Sequence, residues 1–377
     1  MNENVFPAFV GFFVAAVMTY AMLWLLEPMA RRFGLLDHPQ GRKDHWAPTP
    51  FTGGMAMMLG IVLTSAMFNQ WTPQFTYFMA AAALLVLIGV LDDLYDIRWW
   101  IRIIAQSAAV MLMVYGGGLR VEHIGQIIGI KSTGLGDWSL PITMIATIGV
   151  INAVNMIDGV DGLAGGITLA TLSMLEAAAL RSGNAVLTER LLIFSGAVVG
   201  FLLMNMRLPW QSRARVFMGN AGSALLGFII AWASFSLTQV RGHPVTPVLA
   251  PWLIATPLID CVTLIMRRLL RGQSPFRADR EHMHHLMLDA GFTPAQLTTT
   301  LMVTNLSLGL LAAIALIAKV PQAILVLAFV GLCLGYFWLT LRRERGVAAF
   351  ALLNRCLTRM HLIPGTAMVP PTPCEED

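Results

Sequence analysis

Residues 75–97 read FTYFMAAAALLVLIGVLDDLYDI: no residue from Phe75 to Val90 carries a charge, and then three carboxylates, Asp92, Asp93 and Asp96, follow at once. At about 1.5 Å per residue the uncharged run is long enough to cross a hydrocarbon core of about 30 Å with little slack. Runs of this kind recur along the chain, in which apolar residues make up 56% and charged residues only 12%. An ordinary soluble domain carries roughly twice that share of charge. The sequence therefore predicts an all-α polytopic integral membrane protein.

About eleven transmembrane spans are expected, at roughly 5–26, 52–68, 75–91, 99–115, 140–156, 164–180, 190–206, 221–239, 248–268, 298–318 and 323–341. The first lacks a small-residue cleavage site and leaves through Glu27-Pro28, so it reads as a retained helix and not a signal peptide. With spans alternating in direction, only Arg120, Lys131, Arg181, Arg190, Arg241 and Lys319 of the 25 basic residues fall on one side. The positive-inside rule makes the richer side cytoplasmic, which puts the N-terminus outside and the C-terminus inside. Residues 1–341 then form a single transmembrane catalytic domain with cytoplasmic loops, and 342–377 a cytoplasmic tail. The tail holds an amphipathic stretch, VAAFALLNRCLTRMHLIP, and an end, PPTPCEED, that reads as disordered.

The net charge of +4 is spread over separate loops and not gathered into a stripe, which argues against nucleic acid as a partner. Cys261, Cys333, Cys356 and Cys374 show no CxxC spacing and receive no role. In the sizeable outer loop, 116–139, the stretch VEHIGQIIGI alternates enough to suggest a short surface hairpin.

Chemistry concentrates in the inner loops. If the third helix continues through Asp92, Asp93 and Asp96, their side chains fall within one arc of about 100°. Carboxylates that close repel one another, and something positive must offset them. Magnesium suits the case, because it takes one or two carboxylates and completes its shell with water and phosphate. The simpler alternative is a helix end dipping its acids into water beside Arg98 and Arg102, although acids at a helix C-terminus oppose its dipole.

In INAVNMIDGVDGLAGG, 151–166, Asn152, Asn155, Asp158 and Asp161 recur at every third position. They align if the segment tightens into a 3₁₀ turn, which Gly159 and Gly162 permit; a plain Asp-Gly turn between spans is the alternative. RARVFMGNAGSALLG, 213–227, opens the eighth span with Gly219, Asn220, Gly222 and Ser223 beside Arg213 and Arg215. Free N–H groups and the positive dipole end make that a fitting place for a phosphate, while glycine and serine also serve close helix packing. SPFRADREHMHHLMLDAGF, 274–292, brings His282, His284 and His285 together with Arg277 and Arg280. Their spacing is not that of a helical zinc pair and no cysteine is near, so donation to diphosphate oxygens fits better. In LLDHPQGRKDHWAPTPFTGG, 35–54, Lys43 and His45 supply cations on a proline-held loop. Asp260, inside the ninth span, is either functional or a polar contact with another helix, and it stays outside the catalytic set.

Together DDLYD, NMIDGVDGLAGG, VFMGNAGS, SPFRADREHMHHLM and GRKDHWAPTPFTGG resemble the polyprenyl-phosphate N-acetylhexosamine-1-phosphate transferase family, over a stretch from Asp37 to Phe292. The His-x-His-His loop, preceded by Ser-Pro-Phe and Asp-Arg, is similar to the bacterial branch that makes undecaprenyl-diphospho-N-acetylglucosamine. The branch that transfers phospho-N-acetylmuramoyl-pentapeptide usually has an unbroken histidine run there. The resemblance implies an enzyme of the bacterial inner membrane, its active site facing the cytoplasm, at the first membrane step of O-antigen or other surface glycan synthesis. An oxygen of undecaprenyl phosphate would attack the β-phosphorus of UDP-N-acetylglucosamine, and UMP would leave.

The same resemblance implies Asp92, Asp93, Asp158 and Asp161 as catalytic residues. It implies a magnesium ion, or manganese in its place, on Asp92, Asp93 and Asn220. Substrate contacts would come from Lys43, His45, Asn155, Arg215, Asn220, Arg277, His282, His284 and His285, and a homodimer is left open. Many relatives carry an aspartate where this chain has Asn220. Asparagine offers a neutral carbonyl oxygen but cannot act as a carboxylate nucleophile, which excludes a covalent route through this position. Outside the family, a secondary transporter would place its polar groups near the midplane of the membrane and not at helix ends. A prenyl-diphosphate synthase or CDP-alcohol transferase would leave the histidine loop and the Gly219–Ser223 stretch unexplained.

Overall fold

The computed structural model describes residues 5–37, 48–68, 70–125, 134–239, 245–275, 280–360 and 362–363. Lys43, His45 and Arg277, the second half of the expected outer hairpin and the C-terminal end lie outside the described residues. Helix α1 (Val5–Phe33) leads into a small antiparallel ribbon of β1 (Leu36–Asp37) and β2 (Thr49–Pro50). Then follow α2 (Gly53–Met67), α3 (Pro73–Tyr95), α4 (Trp99–Met111), α5 (Ser139–Ile157), α6 (Leu163–Arg181), α7 (Ala185–Asn205) and α8 (Gly219–Thr238). The second half holds α9 (Ala250–Leu253), α10 (Ala255–Leu270), α11 (Met283–Asp289), α12 (Pro294–Ile317), α13 (Gln322–Thr340) and α14 (Arg343–Arg359). Among the described residues nine helices are long and apolar enough to cross a membrane. Helix α2 is shorter, at 15 residues. Residues 121–125, where the outer hairpin was expected to begin, form no strand.

The ninth expected span is not one rod. Its two parts, Pro247–Leu253 and Ala255–Leu270, meet at 85°. Pro257 has no N–H to give to the Leu253 carbonyl one turn back, and its ring crowds that oxygen. The freed carbonyl is instead taken by Thr171 Oγ1 of α6 at 2.7 Å and Asn305 Nδ2 of α12 at 3.0 Å. Asn305 Oδ1 in turn accepts the Thr256 N–H at 3.1 Å. Non-helical backbone at membrane depth is tolerated when protein satisfies it in this way.

Helix α8 forms the centre, packed by α2, α3, α5, α6 and α7, and is almost wholly buried. At one end of the bundle Phe75, Phe78, Phe194, Phe228 and Trp232 interlock, with Phe78 and Trp232 ring centres 4.5 Å apart. The Arg190 guanidinium lies 4.3 Å over the Phe75 ring there and donates to the Gln70 carbonyl. At the other end backbones touch. A Cβ on Gly54 would sit 2.3 Å from Gly222 N, and one on Gly89 2.3 Å from Ala221 Cα. Gly89 and Asp93, four residues apart, share a face of α3. The close approach that Gly89 allows therefore delivers Asp93 to the first turn of α8.

Candidate active site

Helix α8 opens at Gly219, whose φ is +71°, and a Cβ there would lie 2.4 Å from Asp93 Oδ2. Asp93 uses the space: Oδ1 accepts the Asn220 N–H at 2.8 Å and Oδ2 lies 3.5 Å from the Ala221 nitrogen. The positive end of the α8 dipole favours a carboxylate in that position. This corrects the expectation of a free phosphate cradle, since donors of the first turn already serve a side chain of the protein itself.

The three-carboxylate face on α3 also needs correction. The helix stops at Tyr95, and Asp96 caps it in the left-handed region at φ 49°, exposed, with its N–H on the Asp92 carbonyl. Aspartate is among the few residues that enter this region readily. Asp92 and Asp93 remain, pointing about 100° apart. Asp92 turns toward α4, where its Oδ2 accepts Arg102 Nη1 at 3.0 Å with the carboxylate side chain only 2% exposed.

From the opposite wall comes α5. It stays α-helical through Ile157, so Asn152 and Asn155 diverge and the expected 3₁₀ alignment does not form. Close packing on α8 holds it regular: a Cβ on Gly227 would lie 2.5 Å from Ile151 Cα. Asn152 donates to Gln106 Oε1 at 3.0 Å, whereas Asn155 donates to Asn220 Oδ1 at 2.8 Å and Ser223 Oγ at 2.9 Å. The chain then turns into α6 through Gly162, at φ +77°, whose N–H is held by Asn205 Oδ1 at 2.8 Å. Asp161 accepts Arg207 Nε at 2.8 Å and the Ala214 N–H at 3.2 Å. No donor among the described residues reaches the Asp158 carboxylate. Burial first, then the charges of Asp93 and Asp161, push it up to about 7. Arg215 is exposed, its backbone N–H tied to the Met204 carbonyl.

Helix α11 brings its histidines against this turn. A Cβ on Gly159 would fall 2.4 Å from His284 Nε2, so the imidazole lies flush on the Gly159 backbone. His284 is buried between that turn and its neighbours, with ring centres 4.3 Å from His285 and 5.4 Å from His282. Burial, then His285 and His282, push His284 down to about 3. It is therefore a neutral wedge behind the Asp158–Gly162 turn and brings no charge to a diphosphate. The residue that sequence reasoning set aside is Asp260. From α10 its Oδ1 accepts the Met283 N–H at 2.9 Å and the Tyr336 hydroxyl at 3.2 Å, while Oδ2 meets His282 Nδ1 at 3.2 Å. A lone acid in an apolar span, seven residues before Arg267, was the available signal. Helix α14 braces α11 from outside, through Asn354 to the Ala290 carbonyl and an Arg343–Asp289 ion pair.

Residues 75–238, from α3 to the end of α8, match glycosyl transferase family 4. Over 78% of its length the chain is 39% identical to an undecaprenyl-phosphate alpha-N-acetylglucosaminyl 1-phosphate transferase from Haemophilus influenzae, covering 81% of that protein. Proteins with the same name from Escherichia coli K12 and Yersinia pestis are 34% and 35% identical, over 87% and 84% of this chain and 94% and 89% of theirs. The chain is a member of glycosyl transferase family 4. The segment that matches the family contains Asp92, Asp93, Asn155, Asp158, Asp161, Arg215 and Asn220, from the end of α3, the end of α5 and the turn after it, and the approach to and first turn of α8.

Beside these side chains a small cleft opens between α3, α4, α5 and α8. Leu85, Ile88 and Ile151 form apolar walls, and Arg102, Gln106 and Asn155 give it polar groups. Among the described residues no three carboxylates, imidazoles or thiols converge as a ready-made metal cage. The donor set nevertheless fits magnesium. Asp93 and Asp158 are hard oxygen donors that repel each other, and among the described residues Asp158 has no partner to neutralise it. Magnesium takes only one or two carboxylates and completes its octahedron with water and phosphate.

Proposed function

We propose that the protein transfers N-acetylglucosamine 1-phosphate from UDP-N-acetylglucosamine to undecaprenyl phosphate, releasing UMP and leaving a diphosphate-linked sugar on the lipid. The observation that carries this reading is that Asp93, which caps the N-terminus of α8 from the end of α3, lies close enough to the α5–α6 turn for its charge to act on Asp158. Relatives named for this transfer, matched over up to 94% of their length, support it. Relatives of this kind suggest a multi-pass protein of the bacterial inner membrane, and the distribution of basic residues favours the N-terminus outside and this site on the cytoplasmic face. A soluble nucleotide sugar and a lipid phosphate would meet there.

An acceptor oxygen attacks the β-phosphorus, the bond from that phosphorus to the bridging oxygen breaks, and UMP leaves with the electron pair. A phosphate monoester has its second pKa near 6, so the acceptor is already largely ionised at neutral pH and needs no strong general base. Asp93 and Asp158 would hold magnesium, or manganese in its place, which when bound neutralises charge between the phosphates. Asp92 stands behind them, tied to Arg102. The cleft suits the acceptor, with prenyl carbons on Leu85, Ile88 and Ile151 and the phosphate toward Arg102 and Asn155. His285 and the exposed Arg215 would donate to the donor's phosphates, with Arg277, Lys43 and His45 as further cations, and His282 would accept through Nε2 from an O–H or N–H of the donor.

The test is product identity. Membranes holding the protein, given UDP-N-acetylglucosamine and undecaprenyl phosphate, should release UMP only when magnesium is supplied. Release of UDP, or of nothing from a folded protein, would overturn the reading.

A further inference from the structure

We propose that Asp260 is a positioning residue that fixes the tautomer of His282, so that Nε2 is the ring atom left to work on the donor; the functional part rests on the transfer proposed above. Asp260 is 1% exposed, yet its carboxylate is fully engaged. Oδ1 takes two donors, the Met283 N–H at 2.9 Å and the Tyr336 hydroxyl at 3.2 Å, and Oδ2 faces His282 Nδ1 at 3.2 Å. These three contacts come from the start of α11 and from α13, so one side chain of α10 ties together the elements that present the histidine loop.

The chemistry of the pair sets the tautomer. An ionised carboxylate only accepts, so the proton between the two groups belongs to Nδ1 and the neutral ring leaves Nε2 without one. Arg267, two helical turns along the same face of α10, is 1% exposed and holds the Thr340 and Glu281 carbonyls at 2.7 and 2.9 Å, so it fixes the end of α13 and the residue before His282 against the same helix. Histidines that ligate metals or act in hydrolase triads are oriented by a carboxylate in the same manner. His282 is also the last residue before α11 begins, outside the regular helix, so its ring is not fixed by helix geometry. Asp260 supplies what the helix does not.

Asp260→Asn separates this role from simple bracing, because the amide keeps an acceptor for Met283 and Tyr336 but presents an N–H to Nδ1 and moves the ring proton to Nε2. Ring ¹⁵N shifts of histidine-labelled protein in bilayers, with His282 assigned by its loss in His282→Gln, should show Nδ1–H in the wild type and Nε2–H in Asp260→Asn. That measurement uses no substrate, so it stands apart from the fate of the proposed reaction. In UMP release, Asp260→Asn should lower kcat/KM for UDP-N-acetylglucosamine by roughly 10- to 100-fold. The same change made in His282→Gln should add almost nothing. An Nε2–H ring in the wild type, an unchanged tautomer in Asp260→Asn, or losses that multiply in the double variant would each overturn the proposal. Failure of the wild type to release UMP, with the tautomer switch intact, would remove the proposed transfer and with it the role of Nε2, but leave the Asp260–His282 link standing.

Discussion

The carboxylate of Asp93 meets the backbone N–H of Asn220 at 2.8 Å, and this contact makes one residue both the cap of the central helix and a wall of the site. Asp93→Asn keeps an acceptor for that N–H and removes the charge. UMP release should fall at least about 100-fold while the thermal unfolding midpoint in detergent moves little. Asp93→Ala also loses the cap, and should cost about 1 kcal/mol of stability in addition.

Asn220 is bonded through Oδ1 to Asn155 Nδ2 at 2.8 Å, a contact that an aspartate accepts equally well. Asn220→Asp therefore adds a carboxylate beside Asp93 without breaking the link to α5. Adding ligand charge strengthens a divalent-cation site, so the half-saturating magnesium concentration for UMP release should drop by about tenfold. A titration of the two proteins side by side reads this directly.

Asp92 is buried and its recorded ion-pair partner is Arg102. Arg102→Met leaves that carboxylate uncompensated and should destabilise the protein by about 3 kcal/mol, the lower end for a broken buried pair because Arg102 is partly exposed. Adding Asp92→Asn should recover most of the lost melting temperature. It should not recover UMP release if Arg102 also faces the acceptor phosphate.

The Asp158 carboxylate is raised from 3.8 to about 7 in the folded protein, so ionising it works against the fold. As pH climbs from 3.8 to about 7 the unfolded chain releases this proton first, and the stability contributed by Asp158 declines across that window. A cation bound beside it reverses the balance by favouring the ionised form. Magnesium should therefore raise the melting temperature more at pH 8 than at pH 6, and Asp158→Asn should flatten that difference.

How much of this was legible in the sequence follows from what is local and what is not. Uncharged runs ended by polar clusters give the helices directly, because each depends only on its own residues. The acids at 92–96 and 158–161 stand out for the same reason, as charge where an apolar run stops. Most partners were hidden. Arg102 was already in view as a neighbour of the acids at 92–96, but nothing local links Asn155 to Asn220 or Asp260 to His282, since those contacts depend on how α5 meets α8 and α10 meets α11. The 85° break was hidden too, because the groups that satisfy the Leu253 carbonyl lie on α6 and α12. Asp96 was misread because a helical arc was extended one residue past the point where the chain turned left-handed.

Gly159 and His284 give a packing test of the site. The imidazole lies where a Cβ on Gly159 would stand, 2.4 Å from Nε2, and it is buried on its other sides. Gly159→Ala must push the ring or the turn away, which should cost about 1–3 kcal/mol and disturb Asp158 with it. His284→Ala in the same chain removes the clash, so the double variant should melt higher than Gly159→Ala alone. The ring also leaves a pH signature. His284 is lowered from 6.5 to about 3, so the stability it contributes is present above pH 6.5 and is lost as pH falls toward 3, because the unfolded chain takes up the proton first. Between pH 6.5 and 4 the wild type should lose melting temperature faster than His284→Phe, a ring of similar shape with no proton to gain.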